Sequence, residues 1–371
     1  MDYIIKTLMP KKTESKSGAD NIAFYRKYRP ESFDKVRGQD HIVSVLQNSI
    51  KEDTTVHAYL FAGSRGTGKT SVARIVAREL GTSENDLYEI DAASNRGIDD
   101  IRALKESVQT LPFDSKYKVY IVDEVHMMTK DAFNALLKTL EEPPKHVIFI
   151  LATTELGKIP DTIISRCQVF NFKKPTHQIL KDLVIDVAEA EGHKLDNPTA
   201  DLIALLGEGS FRDTTGILQK VLNFSNGKKI TRDEVEAITG APSTALVNDF
   251  LLAVGNNDLE KGLSVVHKTA SQNIDMKVFL KLVLKKIRIA LLLKFAEATA
   301  KEFMEDFIED DKKFLAVLSK EHGVNISSAT LLALLDAYQQ IDYAFIPELP
   351  LELALIKITN NERPTTHDAK N

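Results

Sequence analysis

The residues best suited to chemistry lie in one glycine-rich segment, 63–70, whose spacing is G-x-x-x-x-G-K-T. Glycines at these positions let backbone N–H groups surround an anion without a clashing Cβ. Lys69 can reach the outer phosphates, and the Thr70 hydroxyl can ligate Mg²⁺. The segment therefore predicts a phosphate-binding loop for a nucleoside triphosphate rather than a flexible loop that matches by chance. The candidate contacts are Gly63, Ser64, Arg65, Gly66, Thr67, Gly68, Lys69, Thr70 and Ser71.

Two carboxylates and a threonine form the second candidate group. Asp123 and Glu124 directly follow an apolar strand pattern, where Asp123 can hold Mg²⁺ and Glu124 can orient and deprotonate an attacking water. The alternative is a solvated acidic pair. Thr154 follows the apolar run 147–152, and its hydroxyl either senses a terminal phosphate or reflects the β-propensity of threonine.

The elements that must position these groups alternate between strand and helix as far as residue 172. The strands are almost entirely apolar, which predicts a parallel sheet covered by helices on both faces, with its ligand at the carboxyl ends of the strands. Beyond residue 175 the pattern predicts only helices: a group of four, followed by five or six more from residue 243, one of them long. The four helices are predicted at 177–191, 198–206, 211–224 and 231–238.

Composition sets broad limits on the function. With a net charge of -5 the chain does not indicate nucleic-acid binding through its overall charge, so any such contact needs a local basic face. The lone cysteine, Cys167, excludes an internal disulfide and a multi-cysteine zinc site, as expected in a reducing cytosol. Apolar runs long enough to span a bilayer are missing, so no membrane association is expected.

Taken together, the motifs resemble the clamp-loader ATPases of the AAA+ superfamily. The chain is most similar to the bacterial DNA polymerase III gamma/tau subunits, and also to the replication factor C subunits. The similarity runs from about residue 22 to 361. The matching segments are 25–39, 63–70, 89–94, 123–127, 134–144, 151–154, 165–167 and 209–213.

This resemblance implies an α/β AAA+ domain followed by a helical lid and a helical collar that joins subunits into a pentamer. It implies an ATPase stimulated by DNA, in a family that forms part of DNA-directed DNA polymerase. Thr154 would be a first sensor of the γ-phosphate, Arg212 a second, and Arg166 an arginine finger acting in trans on a neighbour. The adenine pocket would be lined by Tyr28, Arg29, Pro30 and Val36. The implied boundaries are leader 1–21, ATPase domain 22–174, lid 175–241, collar 242–361 and tail 362–371.

The implied cofactors are ATP and Mg²⁺. The implied partners are delta-like and delta-prime-like subunits, a sliding clamp and primer–template DNA, in a cytoplasmic, nucleoid-associated assembly. DNA contacts should fall on backbone phosphates, since a loader must accept any sequence. Arg96 and Lys138 are the candidates by family placement, and the alternative is that both are solvated surface charges.

The chain departs from the family pattern in three places. Residues 81–86 stand where gamma/tau subunits usually carry a four-cysteine zinc module, so no zinc is expected. The long tau extension is missing, which resembles a gamma-length form. Arg37 replaces a small apolar residue beside the expected adenine pocket.

Three other functions compete with clamp loading. A branch-migration translocase of the AAA+ class is one, and an assembly scaffold that binds ATP without turnover is another. An inactive delta-prime-type subunit is disfavoured because its phosphate loop would be damaged, whereas this one is intact.

Overall fold

The structure is a computed structural model that describes residues 22–94, 98–225, 227–304, 307–321 and 325–359. The strands are Ala58–Ala62 (β1), Leu87–Asp91 (β2), Lys118–Asp123 (β3), Val147–Thr153 (β4), Gln168–Asn171 (β5), Lys194–Leu195 (β6) and Lys229–Ile230 (β7). The helices that accompany the large sheet are Phe24–Lys27 (α1), Asp40–Lys51 (α2), Lys69–Glu79 (α3), Ile98–Gln109 (α4), Lys130–Glu141 (α5) and Asp161–Ile164 (α6).

The remaining helices form the second half of the chain. Four follow the sheet: His177–Ala190 (α7), Asn197–Leu206 (α8), Phe211–Phe224 (α9) and Arg232–Thr239 (α10). Seven more follow within the described residues: Thr244–Gly255 (α11), Leu259–Ser271 (α12), Met276–Phe295 (α13), Glu297–Met304 (α14), Glu309–Glu321 (α15), Ser328–Gln340 (α16) and Leu349–Thr359 (α17).

The large sheet has five parallel strands in the order β2-β3-β4-β1-β5. Neighbouring residues of β1 point to opposite faces, so Leu60 packs with α4 and α5 while Tyr59 and Phe61 pack with α2 and α3. All three side chains are fully buried. The predicted fold, a parallel sheet with helices on both faces followed by a helical region, is confirmed.

Two predictions about the helical half were wrong. β6 and β7 form a small parallel sheet where only helices were expected, because two-residue strands carry no detectable alternation. The expected five or six C-terminal helices are seven within the described ranges. The difference arises partly at Ala296, whose non-helical backbone (φ -150°, ψ 63°) separates α13 from α14 within one apolar pattern.

The helical half has a single continuous apolar core that includes side chains from α7 to α17. Phe24, which precedes the sheet in sequence, is buried in this core. Its backbone N–H donates to Gln219 Oε1 at 3.0 Å, and Lys27 pairs with Glu191 at 2.6 Å. Residues 24–28 therefore pack on α9 and the end of α7 rather than on the sheet. Within the described residues, no single helix is long and apolar enough to cross a membrane, although the bent pair α10 and α11 passes by length and composition.

Segment 81–86 is held in place by the carboxylate of its last residue, Asp86. Asp86 is fully buried and accepts the backbone N–H groups of Phe113, Asp114 and Ser115 at 2.6, 3.0 and 3.0 Å. Burial alone would raise the pKa of Asp86, but these donors outweigh it and hold the pKa well below its usual value. Asp86 thus ties the start of β2 to the loop before β3.

We expect Asp86→Asn to lower the free energy of unfolding at pH 7 by about 1–3 kcal/mol, because the amide cannot replace a carboxylate that accepts three N–H groups. A depressed folded-state pKa contributes stability above the unfolded pKa, and this contribution is lost as the pH falls towards the folded pKa. The difference between variant and wild type should therefore narrow below about pH 4 in urea unfolding series. A difference that stays constant with pH would contradict this role for the ionised Asp86.

A buried ion pair lies in the helical core between α13 and α15. Lys286 Nζ lies 2.6 Å from Asp311 Oδ1 and donates to Asn248 Oδ1 at 2.7 Å, and both charged side chains are almost fully buried. Burial lowers the pKa of Lys286, and Asp311 opposes this by favouring the charged form. Removal of either partner alone would therefore leave the other charge buried without compensation.

We expect Lys286→Met alone to destabilise the chain by about 3–5 kcal/mol, because it leaves Asp311 as an uncompensated buried charge. The double variant Lys286→Met, Asp311→Leu should recover most of the loss, since both charges are then replaced by apolar side chains of similar size. Denaturant unfolding of the two single variants and the double variant measures the coupling. Additive losses would show that the two charges act independently.

Candidate nucleotide-binding and hydrolysis site

The glycine-rich loop follows β1 directly and is shaped by backbone conformations that favour glycine. Gly66 and Gly68 have φ angles of 73° and 102°, and α3 begins at the next residue, Lys69. The Gly63 N–H donates to the Thr153 carbonyl at 3.2 Å, which fixes the loop to the end of β4. The loop therefore runs directly into the N-terminus of α3, as the sequence predicted.

Lys69 folds back over this loop. Its Nζ donates to the carbonyls of Gly63 at 2.7 Å and Ser64 at 3.0 Å, and the side chain is 5% exposed. Burial lowers the pKa of Lys69, while Glu124 and Asp123 favour its charged form. Ser64 Oγ is buried without a hydrogen-bond partner in the part of the chain that the structure describes. A buried, unpartnered hydroxyl beside a lysine ammonium fits a phosphate ligand.

Thr70 and Asp123 form the donor set expected for Mg²⁺. The Thr70 hydroxyl donates to Asp123 Oδ2 at 2.7 Å, so the two oxygens can face one ion. Mg²⁺ binds through one or two protein oxygens together with phosphates and water, and these residues fit that pattern. Within the described ranges, no group of three or more His, Cys, Asp or Glu side chains could hold a metal. The expectation that zinc is missing stays a prediction.

Glu124 lies next to this pair in a left-handed conformation, with φ 50° and ψ 42°. Such a conformation is uncommon for a residue other than glycine. Thr154 donates to Glu124 Oε2 at 3.1 Å. The structure thus brings Glu124 and Thr154 into one hydrogen-bonded group.

His126 belongs to the same group, although the sequence analysis gave it no role. Its Nδ1 lies 3.1 Å from Thr153 Oγ1 and 3.4 Å from Glu124 Oε2, and its Nε2 lies 3.5 Å from Glu155 Oε1. The only signal was its place two residues after Glu124. That spacing does not distinguish a contact with Glu124 from ordinary packing.

Helix α9 packs against the loop at its first turn. The Phe211 N–H donates to the Gly66 carbonyl at 2.9 Å. A Cβ on Gly66 would lie 2.0 Å from Ser210 Oγ, so only glycine fits there. Arg212 lies over the Tyr25 ring at 5.5 Å and lines the cavity beside the loop. A cation in the first turn of a helix is unfavourable. Here the Arg212 side chain contacts Tyr25, a residue outside its own helix.

A cavity of about 640 Å³ runs from the loop to the lid and is named here the base cavity. All four residues expected around adenine line it, namely Tyr28, Arg29, Pro30 and Val36. Arg37, the departure from the family pattern, also lines it and pairs with Asp186 of α7 at 2.6 Å. This ion pair joins the sheet side of the base cavity to the lid side.

Two predicted site residues, Arg166 and Lys138, lie elsewhere. Arg166 donates to Glu141 Oε1 at 2.6 Å and to the Thr162 carbonyl at 2.7 Å, and it is not among the residues that line the base cavity. Lys138 is exposed on α5. Arg96 lies outside the described residues.

The sequence comparisons match subunits of DNA polymerase III. Residues 38–95 and 81–176 match the family model described as DNA polymerase III, delta subunit. The chain is 35% identical over 371 residues to DNA polymerase III subunit tau of Bacillus subtilis, covering 93% of this chain and 64% of that protein. It is 40% identical over 277 residues to the gamma/tau subunit of Mycoplasma pneumoniae, covering 69% of this chain and 41% of that protein.

The fold has its own match among solved structures. The Holliday junction branch migration motor RuvB of Thermotoga maritima superposes with a TM-score of 0.50 at 22% identity, over 61% of this chain and 79% of that one. At this identity the match shows a shared fold alone. The chain spans less than two thirds of the length of the curated relatives named above, at identities of 35% and 40%. On these matches the chain resembles the bacterial DNA polymerase III gamma/tau subunits over most of its length.

Proposed function

We propose that this chain is an ATP-hydrolysing motor subunit of a clamp loader, which uses ATP to open a sliding clamp and load it on primed DNA. The observation that carries the proposal is the convergence of four groups at one edge of the sheet. The phosphate loop, the Thr70–Asp123 pair and Glu124 with Thr154 meet at the ends of β1, β3 and β4, and Arg212 faces them from the lid.

The nucleotide would lie with its base in the base cavity and its phosphates along residues 63–71. Lys69 would exchange its two loop carbonyls for phosphate oxygens, which compensate a buried ammonium better because they carry charge. Thr70 and Asp123 would hold Mg²⁺, which neutralises charge on the phosphate oxygens. The boundary between 22–174 and 175–241 fits this arrangement, because the loop lies on the sheet and Arg212 on the helical side, whereas the boundary between 175–241 and 242–361 stays a prediction.

Hydrolysis needs a base close to the third phosphate. Glu124 would take one proton from a water molecule while the water oxygen bonds to the γ-phosphorus and the bond to the β-phosphate oxygen breaks. Thr154 donates to the Glu124 carboxylate, which supports a role in orienting the base or reporting the state of the phosphate.

Arg166 supplies the argument for an assembly. Its guanidinium is held by Glu141 and the Thr162 carbonyl and does not line its own base cavity. An arginine finger serving a neighbouring protomer would be presented in this way, at the surface, with its side chain 33% exposed. Delta-like and delta-prime-like subunits in a pentamer, a clamp and primer–template DNA are the proposed partners, with Lys138 facing DNA phosphates.

The cycle would work as a population shift. ATP between two protomers favours the arrangement that grips the clamp, and hydrolysis triggered by DNA removes that preference. A branch-migration motor shares the fold but would separate or move DNA strands. A strand-displacement assay on the reconstituted assembly separates the two functions.

We expect Lys69→Ala to abolish binding of ATP, because it removes the buried charge that faces the phosphates. Glu124→Gln is the matched variant: it should bind ATP like wild type but lose hydrolysis by about 10²–10⁴-fold. Titration with a fluorescent ATP analogue and a phosphate-release assay measure the two quantities. Normal ATP binding by Lys69→Ala would exclude the proposed site.

We expect Arg166→Ala to retain ATP binding and lose DNA-stimulated hydrolysis by about 10³-fold or more in the reconstituted assembly, since an arginine finger stabilises charge on the transferred phosphoryl group. Turnover should be measured with and without clamp and primed DNA. A mixture of Arg166→Ala and Lys69→Ala chains tests action in trans. Unchanged turnover in an assembly carrying only Arg166→Ala chains would remove the trans role.

A further inference from the structure

One buried histidine, His126, lies between two carboxylates at the edge of the sheet. Its side chain is 7% exposed. Its Nδ1 lies 3.4 Å from Glu124 Oε2, and its Nε2 lies 3.5 Å from Glu155 Oε1. A buried polar ring is costly unless its nitrogens have partners, so these contacts contribute to the position of the ring. One of the two partners is the proposed base, although the reaction proposed above gives the histidine no role.

The backbone of residues 124–127 turns His126 back towards Glu124. Residues two apart do not face each other on a regular helix. Here Glu124 has a left-handed conformation, and the Met127 N–H donates to the Glu124 carbonyl at 2.8 Å, which closes a short 3₁₀ turn, Val125–Met127. Val125 is fully buried and holds this turn in the apolar core. A left-handed conformation persists only where the surrounding structure holds it, so the turn is fixed by the fold.

The ring is anchored by Thr153, the last residue of β4. His126 Nδ1 lies 3.1 Å from Thr153 Oγ1, which also accepts the Glu155 N–H at 3.0 Å. Thr153 is fully buried, and its carbonyl accepts the Gly63 N–H at the start of the phosphate loop. His126 therefore contacts the same strand end that holds the loop.

The contacts to Glu124 fall on one of its two carboxylate oxygens. Thr154 Oγ1 donates to Glu124 Oε2 at 3.1 Å, and His126 Nδ1 faces the same oxygen. Glu124 Oε1 has no hydrogen-bond or ion-pair partner in the part of the chain that the structure describes. The Glu124 side chain is 32% exposed and lines the base cavity. Its Oε1 is therefore the oxygen that can accept a proton from water.

The surroundings of the ring favour its hydrogen on Nδ1. A neutral imidazole carries one N–H, and a carboxylate can only accept. Glu155 already pairs with Lys158 at 2.8 Å, so it gains less from a further donor than Glu124 does. With the hydrogen on Nδ1, His126 donates towards Thr153 Oγ1 and Glu124 Oε2.

We propose that His126 is a positioning residue for hydrolysis, which holds Glu124 at Oε2 so that Oε1 faces the attacking water. The proposal rests on the role of Glu124 put forward above. A base must lie within hydrogen-bond distance of the proton that it takes, and a displacement of about 1 Å lowers a rate by about 10²-fold. His126 is not among the described residues that line the base cavity, so it acts on the rate of hydrolysis and not on the affinity for ATP.

Two amide variants separate the two contacts of the ring. Asparagine places its amide nitrogen close to the position of Nδ1, and glutamine places it close to that of Nε2. We expect His126→Gln to lower kcat by about 10–10²-fold with ATP affinity unchanged, because Glu124 loses a donor. His126→Asn keeps a donor towards Glu124 and should retain most of the wild-type rate. Phosphate release by the reconstituted assembly at saturating ATP gives kcat, and titration with a fluorescent ATP analogue gives the affinity.

A double-variant cycle distinguishes positioning from a structural role. If His126 acts through Glu124, His126→Gln should cause no further loss of hydrolysis in a chain that already carries Glu124→Gln. Single-turnover phosphate release measures this residual rate. A histidine that only stabilises the fold would lower the rate equally with and without Glu124→Gln, and that result would overturn the proposal.

His146→Gln is the matched control. His146 directly precedes β4, at the opposite end of the strand from Thr153, and its Nε2 lies 3.2 and 3.1 Å from the Val108 and Thr110 carbonyls. Its substitution should leave kcat unchanged. An equal loss of kcat in His146→Gln and His126→Gln, an equal loss in His126→Asn and His126→Gln, or a loss of ATP affinity in His126→Gln would each overturn the positioning role.

Glu124→Gln alone tests the proposed function separately. Wild-type hydrolysis in that variant would overturn the role of Glu124 and the positioning role with it. Loss of hydrolysis in Glu124→Gln together with wild-type kcat in His126→Gln would overturn the positioning role alone.

Discussion

The contact between Gly66 and the start of α9 is the constraint on which the site depends. The Phe211 N–H donates to the Gly66 carbonyl at 2.9 Å, and Ser210 occupies the space that any Cβ on Gly66 would need. The conformation of the phosphate loop therefore depends on the position of α9, because moving α9 would break its hydrogen bond to the loop. The same helix turn carries Arg212, so a ligand that contacts Arg212 also biases the loop.

The parallel sheet positions the other residues of the site. β4 lies between β1 and β3, and its register places Thr153 opposite Ala62, where the loop begins. Strands that run in one direction end at one edge, so Asp123, Thr154 and the loop meet there although they are far apart in sequence. Thr70 reaches Asp123 across this edge, and the hydrogen bond between them fixes α3 relative to β3.

Local signals explain what the sequence could predict. The observed bounds of α9, Phe211–Phe224, equal the predicted ones because the helix has a strong apolar period and Ser210 caps its start, and the buried strands are continuous apolar runs. The two-residue strands β6 and β7 have no such signal. His126 is brought beside Glu124 by tertiary packing, which no spacing encodes. Arg166 is a further case, since a motif can identify an arginine but does not show which group that arginine contacts.

Residues 24–36 connect the base cavity to two apolar cores. Tyr28 packs against the helical core together with Phe24, whereas Val36 packs against the sheet with Phe33. Both Tyr28 and Val36 line the base cavity, so a bound base would contact side chains that belong to two separate cores. The helices on both sides of residue 243 share this one core. Nucleotide binding as proposed above would therefore connect the sheet with the whole helical half of the chain.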